Sequence, residues 1–242
     1  MIVKNRLLNF GKNIIYQNDD YFAFSIDSVL LANFVSIRYN DKNIIDFCSG
    51  NAPIPMLLTF RTKSKIYGIE LQKEIYDMGI LSIKENGMDN QIDLICDDLN
   101  NSGTLFGSES FDVVTCNPPY FKYNPNGYVN NNDAKTVARH EIKVNLEDIV
   151  KNASYLLKNH GNLALVHRPD RFVEIIELFK KYNIEPKRVR FVYPKKSKNS
   201  NILLIEGMKN GNAGGLKILP PLFIYNDLDE YCDEVKNMFG SE

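Results

Sequence analysis

"NIIDFCSGNAP", Asn43 to Pro53, is the stretch on which the fold turns. Asn43 to Cys48 is a short apolar run and reads as a buried strand. Ser49-Gly50-Asn51 is a turn. Pro53 can open a helix, because proline is tolerated in a first helical turn, and Pro55 fits only if it lies in that turn too. The pattern then repeats. Lys65–Glu70 reads as a second strand, and Gln72–Glu85 as a helix stopped by Asn86-Gly87. Ile92–Cys96 is a third strand, closed by Asp97-Asp98, and Phe111–Cys116 is a fourth. A helix from Leu146 to about Lys158 precedes a strand over Asn162–His167. A helix over Arg171–Tyr182 precedes strands over Val189–Tyr193 and Ile202–Glu206. Asp27–Ile37 is a further helix, and "PPLFIYN" near the C-terminus is extended. Strands alternating with helices predict right-handed crossovers and a parallel sheet.

The chain has 242 residues, 44% hydrophobic and 24% charged, which suits one α/β domain with a substantial core. We expect a single domain over 1–242, with an N-terminal extension over 1–40 and the core over 41–242. The net charge of −1 carries no bulk signal for nucleic acid, so any such binding needs a local patch. The four cysteines form no C-x-x-C pair, and no acid/His spacing suggests a metal. The expectation is therefore no metal. With no apolar run of ~18 residues and no signal-peptide pattern, it is also a cytoplasmic protein without a membrane contact.

In a parallel sheet, ligands sit at the carboxyl ends of the strands. Three ends here are informative: the glycine turn after strand one, Glu70 ending strand two and Asp97-Asp98 ending strand three. Glycine lets the backbone approach a ligand closely, and an acid ending the second strand suits a ribose diol. The turn reads Cys48-x-Gly50-x-Ala52 rather than G-x-G-x-x-G, and Asp46 would repel a pyrophosphate. A phosphate-free nucleoside with an amino-acid tail, S-adenosylmethionine, fits better than NAD. In this reading Asp46 faces the amino-acid part, Glu70 the ribose and one of Asp97 and Asp98 the adenine amino group. The competing reading is that Asp46 and Asp98 only cap helices.

"NPPY", Asn117 to Tyr120, follows the fourth strand. It resembles motif IV, (D/N/S)-P-P-(Y/F), of the amino-methyltransferases that modify adenine N6 or glutamine. An exocyclic amine is a poor nucleophile because its lone pair is delocalised. The Asn117 side-chain oxygen and the Pro118 carbonyl can each accept one N–H and draw the nitrogen toward tetrahedral geometry. The prolines preorganise both acceptors, and Tyr120 offers a stacking face. More segments narrow the match: "YFAFSIDSVLLANFV" (21–35), "ARHE" (138–141), "PKRVRFVYPKKSKNSNILLIEG" (186–207) and "LPPLFIYN" (219–226). Together they resemble the bacterial tRNA1(Val) adenine-37 N6-methyltransferase family nearly end to end.

That resemblance implies a class I, Rossmann-like α/β fold: a seven-stranded, mostly parallel sheet with its last strand antiparallel and helices on both faces. It implies S-adenosylmethionine as donor, S-adenosylhomocysteine as product, tRNA as partner and no stable protein partner. Carried over, Asp27, Asp46, Gly50, Glu70 and Asp98 bind the cofactor, with Cys48, Leu99 and Asn117 beside them. Asp98 is preferred to Asp97 because Asp-Leu is the commoner pattern. Asn117, Pro118, Pro119 and Tyr120 hold the base. Cys48 and Ala52 stand where many members have glycine, and a left-handed Cys48 would be strained. Tyr120, Phe121 and Tyr123 could receive an extruded adenine, and Arg139 and His140 could clamp it or could supply a helix-start hydrogen bond. The acid-free run of Lys187, Arg188, Arg190, Lys195, Lys196 and Lys198 could meet phosphates or could be a solvated face. The rival substrate is a protein glutamine, although such enzymes usually carry a longer helical segment before the glycine turn. A DNA adenine enzyme would need a further recognition domain.

Overall fold

A computed structural model describes residues 2–8, 12–18, 25–118 and 144–240. The sheet is built from β3 (Asn43–Phe47), β4 (Lys65–Glu70), β5 (Ile92–Cys96), β6 (Phe111–Cys116), β7 (Leu157–His167), β8 (Ile184–Tyr193) and β9 (Ile202–Lys209). Their spatial order is β5-β4-β3-β6-β7-β9-β8. Neighbours pair in parallel from β5 to β7, while β9 runs antiparallel to both β7 and β8. The expected seven-stranded sheet with an antiparallel last strand is therefore present. Short edge strands β10 (Lys217–Ile218) and β11 (Leu222–Phe223) extend it by pairing with β8.

Alternation along the strands splits the core into two layers, because successive side chains point to opposite faces. Ile44, Ile66, Val113, Ala164 and Leu204 pack with α1 (Ile26–Phe34), α2 (Pro53–Thr59) and Ile83 of α3 (Lys73–Glu85). Ile45, Ile69, Val114, Leu163, Leu165 and Ile205 face the other way. They meet α5 (Leu146–Leu156) and α6 (Phe172–Lys181). Helices thus cover both faces, which leaves the strand ends as the place for a site. A short α4 (Ser102–Phe106) lies between β5 and β6, and α7 (Asp233–Met238) closes the described chain.

Local rules explain the element starts. Pro53 and Pro55 both fall in the first turn of α2, where neither removes a helical hydrogen bond. A capping box opens α5: the Asn145 side chain accepts from Asp148 N at 2.9 Å, and Asp148 accepts from Asn145 N. The N-terminal hairpin, β1 (Ile2–Arg6) and β2 (Ile14–Asn18), is outside the main sheet. It is fastened to α3. Tyr16 N donates to Ser82 Oγ at 2.9 Å, and Asn86 exchanges hydrogen bonds with the Ile14 backbone.

Candidate functional site

A cavity of about 470 Å³ opens at the carboxyl edge of the sheet, within the size range of pockets that enclose small molecules. The carboxyl ends of β3 to β7 all contribute. The turn after β3 supplies Cys48, Ser49, Gly50 and Asn51. The end of β4 supplies Ile69, Glu70, Leu71 and Gln72, and the end of β5 supplies Asp97 and Leu99. Asn117 and Pro118 follow β6, Arg168 follows β7, and Asn201 and Ile202 lead into β9. From α1 come Ile26, Asp27 and Ser28.

The turn after β3 is left-handed at three positions: Cys48 (φ 54°), Gly50 (φ 58°) and Ala52 (φ 68°). Two of them carry a Cβ, which costs roughly 1–2 kcal/mol each in that conformation. The turn is held to β4 nonetheless. Ser49 N donates to Ile69 O at 3.0 Å, and Gly50 N to Glu70 Oε2 at 2.9 Å. Gly68 permits that approach, since a Cβ there would fall 2.5 Å from Ser49 Oγ. Cys48→Gly is therefore expected to raise stability by about 0.5–1 kcal/mol, the relief being partly offset by a more flexible unfolded chain. A urea midpoint that fails to rise would show the turn to be unstrained.

Glu70 is 5% exposed, and its second oxygen accepts from Gln72 N at 2.8 Å. Burial pushes its carboxyl pKa up, while the amides of Gln72 and Gly50 hold it down. Asp46 does not line the cavity. It is fully buried beneath the turn, accepting from Thr115 Oγ1 at 2.6 Å and from Ser49 Oγ at 3.0 Å. Burial raises its pKa to about 7 against those two hydroxyls. Its geometry is that of a brace joining β3, β6 and the turn, not of a group facing a ligand.

After β5 the wall carries Asp97 and not Asp98. The Asp98 carboxylate accepts from Asn100 N at 2.9 Å and caps a 3₁₀ turn, so it follows the capping alternative. Asp97 Oδ1 accepts from Asp98 N and Asn101 Nδ2, both at 2.7 Å. Leu99, Cys48, Gly50 and Asp27 all lie on the wall. At the end of β6, Asn117 is half-buried, Pro118 is buried, and Asn117 Nδ2 donates to Ser28 Oγ at 3.2 Å. Pro119, Tyr120, Phe121, Tyr123, Arg139 and His140 lie outside the described residues.

The basic run divides. Arg188 is engaged inside the fold: it bonds Glu206 and Ser36 and stacks 4.6 Å over Phe34. Arg190 makes a two-pronged pair with Glu234 at 2.6 and 2.9 Å. Lys187 donates to the Asn212 and Gly214 carbonyls, and Lys195 pairs with Asp229. Only Lys196 and Lys198 of the six are exposed without a side-chain partner among the described residues. Both sit in the β8–β9 loop, which runs directly into the wall residues Asn201 and Ile202. Arg168, which the sequence reading missed, joins this rim by donating to Asn201 O at 3.0 Å. Its place just past a strand's carboxyl end is the signal that would have found it.

The lining suits a particular ligand chemistry. Three acids, Asp27, Glu70 and Asp97, stand against one cation, Arg168, among the lining residues, alongside apolar Ile54, Ile69, Ile75 and Leu99. Such a wall repels a pyrophosphate and receives hydroxyls, amines and a flat apolar ring. No group of three His, Cys, Asp or Glu that could hold a metal occurs among the described residues, and none of their helices is long and apolar enough to cross a membrane.

Comparison with solved structures gives the same architecture. A predicted O-methyltransferase from Agrobacterium tumefaciens aligns with a TM-score of 0.69 and 20% identity, over 89% of this chain and 98% of that one. Geranyl diphosphate C-methyltransferase from Streptomyces coelicolor, solved with S-adenosyl-L-homocysteine, aligns at 0.56 and 12% identity, over 75% and 76%. The chain has the class I methyltransferase fold. No family model matches the sequence. Among curated proteins, the tRNA1(Val) (adenine(37)-N6)-methyltransferase of Flavobacterium psychrophilum is 23% identical over 96% of this chain and 99% of its own length. The protein of the same name from Aliivibrio salmonicida is 24% identical over 75% of each chain.

Proposed function

We propose that this chain is an S-adenosylmethionine-dependent methyltransferase acting on the exocyclic N6 of an adenine in tRNA, adenine 37 of tRNA1(Val) by likeness to its curated relatives. The observation that carries the reading is one cavity lined by both Glu70 and Asp97 and by Asn117-Pro118. Glu70 would hold the ribose hydroxyls, Asp97 the adenine amino group, and the turn backbone at Cys48–Gly50 the amino-acid end. The bound cofactor supplies an electrophilic methyl on sulfur. The chain supplies two acceptors, Asn117 Oδ1 and the Pro118 carbonyl, for the two N–H groups of the target amine. Their fixed positions orient the nitrogen lone pair and remove the need for a strong base.

An anticodon stem-loop with adenine at position 37 is expected to take up one methyl group, and the same stem-loop with guanine there none. Equal labelling of the two would overturn the adenine assignment. The rim refines how tRNA is held. If Lys196 and Lys198 meet phosphates, reversing both to Glu should weaken tRNA binding. It should also flatten the log–log salt dependence by about 1.4, at about 0.7 per single-strand phosphate contact. An unchanged slope would make the loop a solvated surface only.

A further inference from the structure

Cys48 and Cys116 are distant in sequence, yet the sheet sets them side by side. β3 and β6 pair in parallel with Phe47 opposite Cys116, and Cys48 follows Phe47 directly. Neighbouring strands lie about 4.8 Å apart and rise about 3.3 Å per residue, so the two Cα atoms are roughly 6 Å apart, within the span of a disulfide. In a regular strand Cys48 would face away from Phe47 and Cys116, because successive side chains alternate. Its left-handed backbone, φ 54°, breaks that alternation. Cys48 packs on the same core layer as Phe47 and Cys116, and the two thiols share a hydrogen bond.

The thiols differ in access. Cys48 is half-buried and lines the cavity, whereas Cys116 is fully buried. Burial pushes the Cys116 thiol well above its usual pKa, so it stays protonated. A small oxidant entering the cavity therefore meets Cys48 first, with Cys116 in reach to resolve the product.

We propose that Cys48 and Cys116 are an oxidisable thiol pair, which a peroxide joins in a disulfide that ties the cofactor turn to β6. The peroxide O–O bond breaks as the Cys48 sulfur takes one oxygen. The thiol becomes a sulfenic acid, and the rest of the peroxide leaves as an alcohol or as water. The Cys116 sulfur then attacks the Cys48 sulfur, the S–O bond breaks, and the hydroxyl leaves as water with the Cys116 proton. Two thiols are oxidised and one peroxide is reduced. The disulfide itself needs no cofactor. Its effect on cofactor binding rests on the methyltransferase reading above, because it pulls the backbone that would receive the amino-acid end toward β6.

In the Cys96→Ser/Cys232→Ser protein these are the only two cysteines. Treated with hydrogen peroxide in the absence of cofactor, it should lose two hydrogens and yield a peptide pair linked through Cys48 and Cys116 by mass spectrometry. Dithiothreitol should reverse both. S-adenosylhomocysteine at about ten times its dissociation constant should slow the linkage about tenfold, since only the free site reacts. The oxidised protein should bind S-adenosylhomocysteine several-fold more weakly by calorimetry, with affinity restored on reduction. With Cys116→Ala added, Cys48 has no resolving partner, and its sulfenic acid should accumulate as a dimedone adduct. Absence of the link, while the exposed Cys96 of the wild-type protein oxidises under the same treatment, would overturn the pair. A link that leaves affinity unchanged would overturn the effect on the turn. If the link forms in protein that binds no S-adenosylhomocysteine even when reduced, the thiol pair stands and the methyltransferase reading falls.

Discussion

Asn117→Ala is expected to lower methyl transfer by about 10²–10³-fold, the scale for deleting one preorganised hydrogen-bonding group from a reacting centre. Cofactor affinity should stay within about threefold, because Glu70, Asp97 and the β3 turn are untouched. The two effects separate because Asn117 addresses the target amine, whereas the strand-end acids address the donor. Calorimetry and a labelled-methyl assay on one preparation measure both. A variant retaining activity within about tenfold, or about 1.4 kcal/mol of barrier, would remove Asn117 from the chemistry.

The second large effect is on stability. Asp46 is fully buried, and its carboxyl pKa is raised from the ordinary 3.8 to about 7, chiefly by loss of solvation. Well below the ordinary pKa of 3.8 the group is neutral in both folded and unfolded chains and costs nothing. As pH rises toward 7, the unfolded chain releases the proton while the folded one keeps it. Stability therefore falls across that window, by about 4 kcal/mol in all for a rise of this size. Asp46→Asn abolishes that titration. The stability of the variant relative to wild type should grow by about this amount between pH 4 and pH 7.5, read from urea unfolding. Parallel pH profiles would mean that Thr115 and Ser49 keep the carboxylate ionised throughout.

The parts of the fold that were legible in the sequence share one property: their signals are local. β4, β5 and β6 were read with the bounds they have, because buried parallel strands are apolar runs punctuated by glycine, acid or proline. β7 and β8 begin earlier than expected, at Leu157 and Ile184. Lys158, Asn159 and His160 are polar, and α5 passes into β7 with no breaker between Leu156 and Leu157. β8 opens across a register shift near Pro186, which masks its period. The β1–β2 hairpin was not anticipated, since its anchors, Ser82 and Asn86, lie more than sixty residues away.

The candidate site divides the same way. Gly50 and Glu70 were legible from their strand ends, and a hydrogen bond joins them across 20 residues of sequence. Which of Asp97 and Asp98 faces the cavity depends on how the chain turns after β5, and adjacent carboxylates do not encode that. Arg188 and Arg190 looked available for RNA because their partners, Glu206 and Glu234, come from later elements. Ser28 is an ordinary serine in an apolar helix until the fold brings it to Asn117.

The most direct measurement follows the methyl group. Purified protein is incubated with unmodified total tRNA and S-adenosylmethionine labelled on its methyl, and the RNA is digested to nucleosides for mass spectrometry. The account predicts label in N6-methyladenosine, dependent on Asn117. Label in another nucleoside, or in protein with none in RNA, would contradict it.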